Sequence, residues 1–360
     1  MNNTYITYAA LNTPLGAEVD SNWSALLRGK SGLSLYPSSG IQGEDLYLSL
    51  FENAAEKDRY NQILAAGLKA ILQDFKQIDW TNERIGFVVS STKGNLADLA
   101  TNCFQSTRDI LLQLTGNKNT PIILSNACIS GVSAINIAAN AVKAKVYDTV
   151  LVIGLDIIWD FVKFGFQSLH AMSNQPVRPF DIQRDGVNLG EAFAAVIVSN
   201  EIVNSSTARY LSGTSSNDAN HISGPSRTGE GLVRSVQQTV GRTQLNIQEI
   251  DFISGHGTGT IFNDEMEAIA FNRLELQDKP LHSLKGYFGH SLGAAGVLET
   301  VIALKMMEEQ IVIPCIGFAV SGTSQSFNMC TELQTFPLNT ILKTASGFGG
   351  GNASLIFQKI

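Results

Sequence analysis

The sequence predicts an α/β fold with largely parallel sheets. Two observations carry this. Short runs rich in Val and Ile recur along the chain, and helical patterns separate them. Runs without polar alternation suit strands buried on both faces. The strands expected are Ile85–Ser90, Ile122–Leu124, Thr149–Ile153, Ala194–Val198, Asp251–Ser254 and Ser354–Phe357. Between them, Leu64, Leu68, Ile71, Leu72 and Phe75 share one helical face. Ala134, Ile135, Ala138 and Val142 share another. A third helical pattern runs from Val297 towards Glu308. The polar stretch Val203–Arg209 is a candidate boundary, and Ser212–Gly231 reads as a long surface loop.

Composition narrows the function. The chain has 360 residues, 44% hydrophobic and 16% charged, which suits a large core and about two domain-sized units. A formal net charge of −7 argues against broad attraction to nucleic acid or to an anionic membrane. No apolar run reaches the roughly 18 residues of a membrane span. Met1–Asn3 carries no positive charge and no apolar h-region follows, so the expected location is the cytoplasm. Cys103, Cys128, Cys315 and Cys330 form no CxxC pair and no finger spacing. Neither a disulfide framework nor a zinc site is expected.

Cys128 lies in IILSNACISG (122–131), before an Ala-rich helical pattern. A strand ending near Leu124 and a helix beginning near Cys128 make a sharp turn that exposes the side chain at the sheet edge. The helix N-terminus carries partial positive charge, which favours thiolate and lowers the thiol pKa. Backbone N–H groups at such a turn also stabilise an oxyanion. Taken alone, Cys128 fits a nucleophile or a small buried apolar residue. The other three cysteines lack this context and are expected to pack.

Two histidines stand among glycines. His256 lies in DFISGHGTGT (251–260), where a strand runs into a glycine-dense turn. His290 lies in SLKGYFGHSLGAAG (283–296), just before a helical run. Glycines let backbone approach a ligand and let a ring project into a cleft. Either ring alone fits a structural hydrogen bond as well as a catalytic role. With a cysteine at a helix start, they supply the parts of thioester chemistry. The sulfur takes an acyl group, and two imidazoles donate to a carbonyl becoming an enolate. His170, His221 and His282 lack this context, and no HExxH-like metal spacing occurs. The segments GHGTG (255–259) and GFGGG (347–351) fit neither GxGxxG nor a P-loop, so nucleotide binding is not expected.

These residues resemble the β-ketoacyl-[acyl-carrier-protein] synthases of the thiolase fold, in their elongating branch. NTPLG (12–16) and LRGKSG (27–32) are similar to the family's opening strand and helix. ACISG (127–131) resembles its nucleophile motif. RPFD (178–181), RDG (184–186) and Gly190-Glu191 resemble its central block. HGTGT (256–260), with Asp264 and Glu267, resembles its first histidine motif. Lys285 and Gly289-His290, running into AAG (294–296), resemble its second. Gly347, Phe348, Gly349 and Gly350, with Asn352, resemble its C-terminal loop. Any one motif is weak, but six in the family's order are specific.

The resemblance implies a five-layer αβαβα fold of two fused similar halves, 1–203 and 204–360, and a dimer. It implies that Cys128 accepts an acyl chain from the phosphopantetheine of an acyl carrier protein. No other cofactor and no metal is implied. His256 and His290 would assist decarboxylation of a malonyl thioester, and the carbanion would attack the acyl-Cys128. Lys285 would hold the electrostatics around His290, with Glu267 as its charged partner. The N–H groups of Cys128 and Phe348 would form an oxyanion hole, and the Phe348 ring would gate the acyl tunnel.

The same resemblance separates neighbouring activities. Degradative thiolases carry a second cysteine before the C-terminal loop, where this chain has Thr344, Ala345 and Ser346. Initiating synthases use Cys-His-Asn, whereas His290 stands here. The competing expectation is a catalytically idle partner subunit of the chain-length-factor type. Such subunits lack the nucleophile, which Cys128 supplies. Pairing with such a subunit, or with a second copy, stays open. The chain is shorter than typical elongating members, before Ala55 and between Gly94 and Pro121. Ser346 stands where a Phe is usual, Gly351 replaces a Thr, and Ala192-Phe193 stands where small residues follow Gly-Glu. Gly317 stands where Asn is common, and Tyr8-Ala-Ala replaces an opening Thr-Gly. These departures point to a specialised pathway, such as a pigment or polyene, over housekeeping fatty-acid synthesis.

Overall fold

A computed structural model describes residues 3–52, 58–218 and 224–360, and His221 lies outside them. The strands in chain order are β1 (Tyr5–Asn12), β2 (Ser34–Tyr36), β3 (Leu46–Leu48), β4 (Ile85–Ser90) and β5 (Ile122–Leu124). Then come β6 (Thr149–Asp156), β7 (Ala192–Ser199), β8 (Thr207–Asn217), β9 (Phe252–Ser254) and β10 (Pro280–His282). The last are β11 (Ile311–Val312), β12 (Asn328–Met329), β13 (Gln334–Thr335), β14 (Thr340–Gly347) and β15 (Gly351–Lys359). The helices are α1 (Val19–Leu27), α2 (Arg59–Asp74), α3 (Gln105–Thr115), α4 (Ser130–Lys143) and α5 (Asp160–Ser168). They continue with α6 (Glu230–Gly241), α7 (Ile261–Arg273), α8 (Lys285–Phe288) and α9 (Ala295–Glu309).

Eleven strands form one sheet, in the order β12-β10-β9-β14-β15-β8-β1-β7-β6-β4-β5. Two sets of five repeat one plan within it. In β5-β4-β6-β7-β1 the successive pairings are parallel, parallel, antiparallel and antiparallel. In β10-β9-β14-β15-β8 they run the same way. The sets join where β1 pairs β8 from Tyr5↔Arg209 to Thr7↔Thr207. The chain passes from one set to the other between Ser199 and Thr207. This supports the division at 203/204, which we propose as the boundary of two halves.

Strand periodicity builds the layers. Along β6, Val150 and Val152 face one core, while Leu151, Ile153 and Leu155 face another under α2. Along β14, Ile341 faces the first core and Leu342 a third, shared with α6 and α7. Both faces of these strands are buried, which is why their sequences do not alternate in polarity. Helices α4 and α9 pack on each other between the two strand sets, α2 and α3 cover one outside, and α6 and α7 cover the other. The result is five layers, αβαβα.

Two expectations need correction. The sheet is mixed, not largely parallel. Only Phe348–Gly350 separates β14 from β15, too few residues for a parallel crossover, so the two form a hairpin. Ser212–Asn217 is strand, not surface loop. The strand misled because some of its polar residues are buried, and the Thr214 hydroxyl is satisfied there. Thr214 Oγ1 donates to Ser235 O at 2.8 Å and lies 3.0 Å from Thr239 Oγ1, and Ser354 Oγ lies 2.8 Å from Thr239 Oγ1.

The α4–α9 crossing is close because Gly131 has no Cβ. An added Cβ there would lie 2.7 Å from Val297 N and 2.8 Å from Gly296 Cα. Gly131→Val is expected to lower unfolding stability by about 2 kcal/mol through overpacking. Urea denaturation checks this: the midpoint falls with an unchanged slope. An unmoved midpoint contradicts the packing account.

Candidate active site

Cys128 sits at the turn into α4. Ala127 before it takes a φ of 45°, the left-handed region that a non-glycine residue rarely adopts. The Ser130 hydroxyl fixes the turn, accepting from Asn126 N–H at 2.7 Å and donating to Ala127 O at 2.6 Å. Helix α4 itself starts two residues later, at Ser130.

His256 sits beyond β9, on a loop held by two carboxylates. Glu267 accepts the N–H groups of His256 and Gly257 at 2.7 and 2.6 Å. Asp264 accepts those of Thr258 and Gly259 at 2.9 and 3.1 Å, and of Phe180 at 2.6 Å. His290 follows Gly289, whose φ of 67° turns the chain out of α8. Its N–H donates to Asn188 O at 2.7 Å, and its carbonyl accepts Gly190 N–H at 3.1 Å.

The three side chains converge. The Cys128 Sγ and one ring nitrogen of each of His256 and His290 lie within 4.8 Å of one another. The two rings meet edge to face, with centroids 5.2 Å apart and planes at 82°. All three residues are buried. Lys285 Nζ lies 3.2 Å from His256 Nδ1. The ammonium can only donate, so Nδ1 accepts, and the proton of a neutral His256 sits on Nε2. Among the described residues, neither ring nitrogen of His290 has a protein partner.

The expected Lys285–Glu267 pair does not form. Lys285 Nζ donates to Glu299 Oε1 at 2.8 Å and reaches His256, not His290. Glu267 is occupied by the loop N–H groups and by Asn263 Nδ2 at 2.9 Å. Lys343 Nζ closes the other side of Glu299, 2.8 Å from Oε2. These three residues are buried, unlike the surface ion pairs that contribute little. Glu299 and Lys343 were not singled out in the sequence. Their signal was a charge inside the apolar runs VLETVI (297–302) and TILKTA (340–345).

Burial governs the charge states. It pushes His256 well below its ordinary value and His290 down to about 3, and Lys285 adds to both effects. Both rings are therefore neutral donors near neutrality. Burial also pushes the Cys128 thiol up to about 11, against the pull of Lys285 and the Phe348 N–H. The expected lowering of that thiol is thus reversed, because desolvation outweighs the favourable charges around it. Burial and Asp264 raise Glu267 to about 7. Burial alone would raise Glu299, but the two lysines outweigh it and hold the carboxyl at about 2.

A cavity of about 430 Å³ opens over the trio. Thr258, Phe262, His170, Ser346 and Asn352 line it. Phe348 stacks on Phe166 across it, with centroids 5.4 Å apart. Gly349 and Gly350 take φ values of 85° and 77° in the turn behind Phe348. A Cβ on Gly347 would come within 3.0 Å of Cys128 N, so the β14–β15 hairpin lies directly against the nucleophile turn. His170, set aside in the sequence, lies exposed on the cavity wall. Cys, His and His could in principle ligate zinc. The buried Lys285 and Lys343 beside them put positive charge where a cation would sit, which opposes that use.

The depressed histidines predict an acid limb of stability. A buried His290 stays neutral in the folded protein, while the unfolded chain takes up a proton below about pH 6.5. The unfolded state then binds more protons, so stability is complete above that pH and falls as pH drops. His290→Gln is expected to reduce the slope of unfolding free energy between about pH 5 and 6.5 by up to 1.4 kcal/mol per pH unit. Denaturant titrations at several pH values check this, and an unchanged slope contradicts the neutral ring.

Known proteins resemble this chain along its whole length. Residues 110–202 match the family model described as Beta-ketoacyl synthase, N-terminal domain. Residues 209–319 match Beta-ketoacyl synthase, C-terminal domain. A putative mitochondrial 3-oxoacyl-[acyl-carrier-protein] synthase of Schizosaccharomyces pombe is 26% identical, over 100% of this chain and 99% of the relative. A 3-oxoacyl-[acyl-carrier-protein] synthase 2 of Coxiella burnetii is 25% identical, over 99% and 98%. Among solved structures, a ketosynthase in complex with its chain length factor from Xenorhabdus doucetiae superposes with a TM-score of 0.89 at 23% identity. That match covers 100% of this chain and 98% of the other. The two matched models meet at the passage between the strand sets, and the chain belongs to the β-ketoacyl synthase family.

Proposed function

We propose that the protein is a 3-oxoacyl-[acyl-carrier-protein] synthase, which condenses a malonyl thioester with an acyl group held on Cys128. One observation carries this: the sulfur and two neutral imidazoles share one buried chamber. Full-length similarity to synthases of that name supports it.

The reaction follows from the geometry. Cys128 attacks an acyl thioester, its proton leaves with the departing pantetheine thiol, and a free thiolate is never required. That suits a thiol held neutral by burial. A malonyl thioester then enters, with its carbonyl oxygen between the two imidazoles. Its C–C bond breaks, CO2 leaves, and the electron pair becomes an enolate that His256 Nε2–H and a His290 N–H stabilise. The enolate carbon attacks the acyl-Cys128 carbonyl. The N–H groups of Cys128 and Phe348 receive the oxyanion; as it collapses the C–S bond breaks, and a proton from solvent returns the departing Cys128 sulfur to the thiol.

The partner in this proposal is an acyl carrier protein. The active form is a dimer, with a second copy or with a ketosynthase-like subunit. No described helix is long and apolar enough to cross a membrane. The reading carries a cytoplasmic location, and four free thiols suit a reducing compartment. Ser346 and Gly351 line the cavity over Cys128 where the family usually has Phe and Thr, which supports a specialised acyl substrate.

Incubation with an acyl-carrier protein should add one acyl mass to the protein, and Cys128→Ala should abolish it in intact-mass spectra. The same variant is expected to lose condensation yet keep malonyl decarboxylation, which belongs to the histidines. His290→Ala should slow condensation about a hundredfold or more. An unacylated wild type would favour an idle partner subunit, and an undiminished His290→Ala would contradict the mechanism.

A further inference from the structure

Lys343 has no role in the mechanism so far, yet it is fully buried and charged residues are almost never placed so without a partner. It sits on β14, five residues before Phe348. Its ammonium forms an ion pair with Glu299 Oε2 at 2.8 Å and donates to Ser254 O at 3.1 Å, to Gly255 O at 3.2 Å and to Thr344 O at 2.6 Å. Ser254 and Gly255 are the residues that lead β9 into His256. A continuous chain of polar contacts therefore runs from Lys343 to Glu299, from Glu299 to Lys285 at 2.8 Å, and from Lys285 to His256 Nδ1 at 3.2 Å.

The charges decide what this chain does. Lys285 and Glu299 alone make a neutral pair, whose field falls off quickly. Lys343 makes the buried triad positive by one unit. A net positive charge behind the two rings opposes imidazolium and favours the enolate that forms in front of them. The other charged groups around the rings do not cancel it. Glu267 and Asp264, on α7, accept the N–H groups of the His256 loop, and burial raises both carboxyl groups, Glu267 to about 7, which lowers the negative charge they place there. Asp156, on β6 near Cys128, is paired with Lys93 at 2.9 Å. Cys128 itself is held neutral by burial.

We propose that Lys343 is a positioning residue of the condensation, acting through Glu299 and Lys285 to keep both imidazoles uncharged donors. The inference rests on the synthase reading above. Its lowering effect on both ring pKa values agrees with that role.

The test is the pH profile of malonyl-carrier-protein decarboxylation for the wild type, Lys343→Met and Lys343→Arg. Met keeps the length and removes the charge, and Glu299 keeps Lys285 as partner. The acid limb of Lys343→Met is expected to move up by about one pH unit, because the rings then protonate more easily. The rate should fall most on the acid side, and Lys343→Arg should restore the limb. Should Met fail to fold, Lys343→Gln takes its place with the same expectation. A folded variant whose rate drops equally at every pH, or does not drop, overturns the inference alone. A wild type that neither decarboxylates malonyl-carrier protein nor takes an acyl group overturns the function and the inference with it.

Discussion

The ion pair between Lys285 and Glu299, 2.8 Å apart and shielded from water, is the constraint on which the chamber depends. A buried charge left without its partner costs several kcal/mol. The pair is thus fixed in place, and it fixes what it touches. Lys285 occupies His256 Nδ1 and thereby sets the tautomer of that ring. Lys343, on the far side of Glu299, gives the cluster its net sign. Ring charge, ring tautomer and ring position all descend from this one buried network.

The repeated strand plan explains how distant residues meet. Cys128 follows β5 and opens α4, and His290 follows β10 and precedes α9. Strands β5 and β10 hold equivalent places in the two sets. Helices α4 and α9 cross where Gly131 lies against Gly296 and Val297. The crossing brings the starts of both helices together, and so the sulfur and the second imidazole. His256, from the loop after the neighbouring β9, completes the group. These three side chains thus stand on helix starts and strand ends, with their geometry set by packed backbone.

Much of this was legible in the sequence. Strands β4 and β5 stand where their apolar runs predict; in β4 burial on both faces leaves an unbroken apolar signature, and β5 is a half-exposed edge strand. The chemistry was legible in Cys128, His256 and His290 because each stands in a turn marked by small residues. Strand β8 was not legible, since Thr214 is a buried polar residue whose hydroxyl partners, Ser235 and Thr239, lie on α6. The Lys285 partner was not legible either. Glu267 matched a motif, whereas Glu299 lies inside an apolar helix and only the fold shows which lysine it meets. The thiol expectation failed for a related reason: a helix start is visible in sequence, but the depth of burial around it is not.

The central claim is that burial and the lysine pair keep both imidazoles uncharged while they act as donors. The most direct measurement is the nitrogen NMR spectrum of histidine-labelled protein across pH 5 to 8. The account predicts two neutral rings throughout, with His256 protonated at Nε2 and bare at Nδ1. A His256 or His290 ring that titrates near the ordinary histidine value would contradict it.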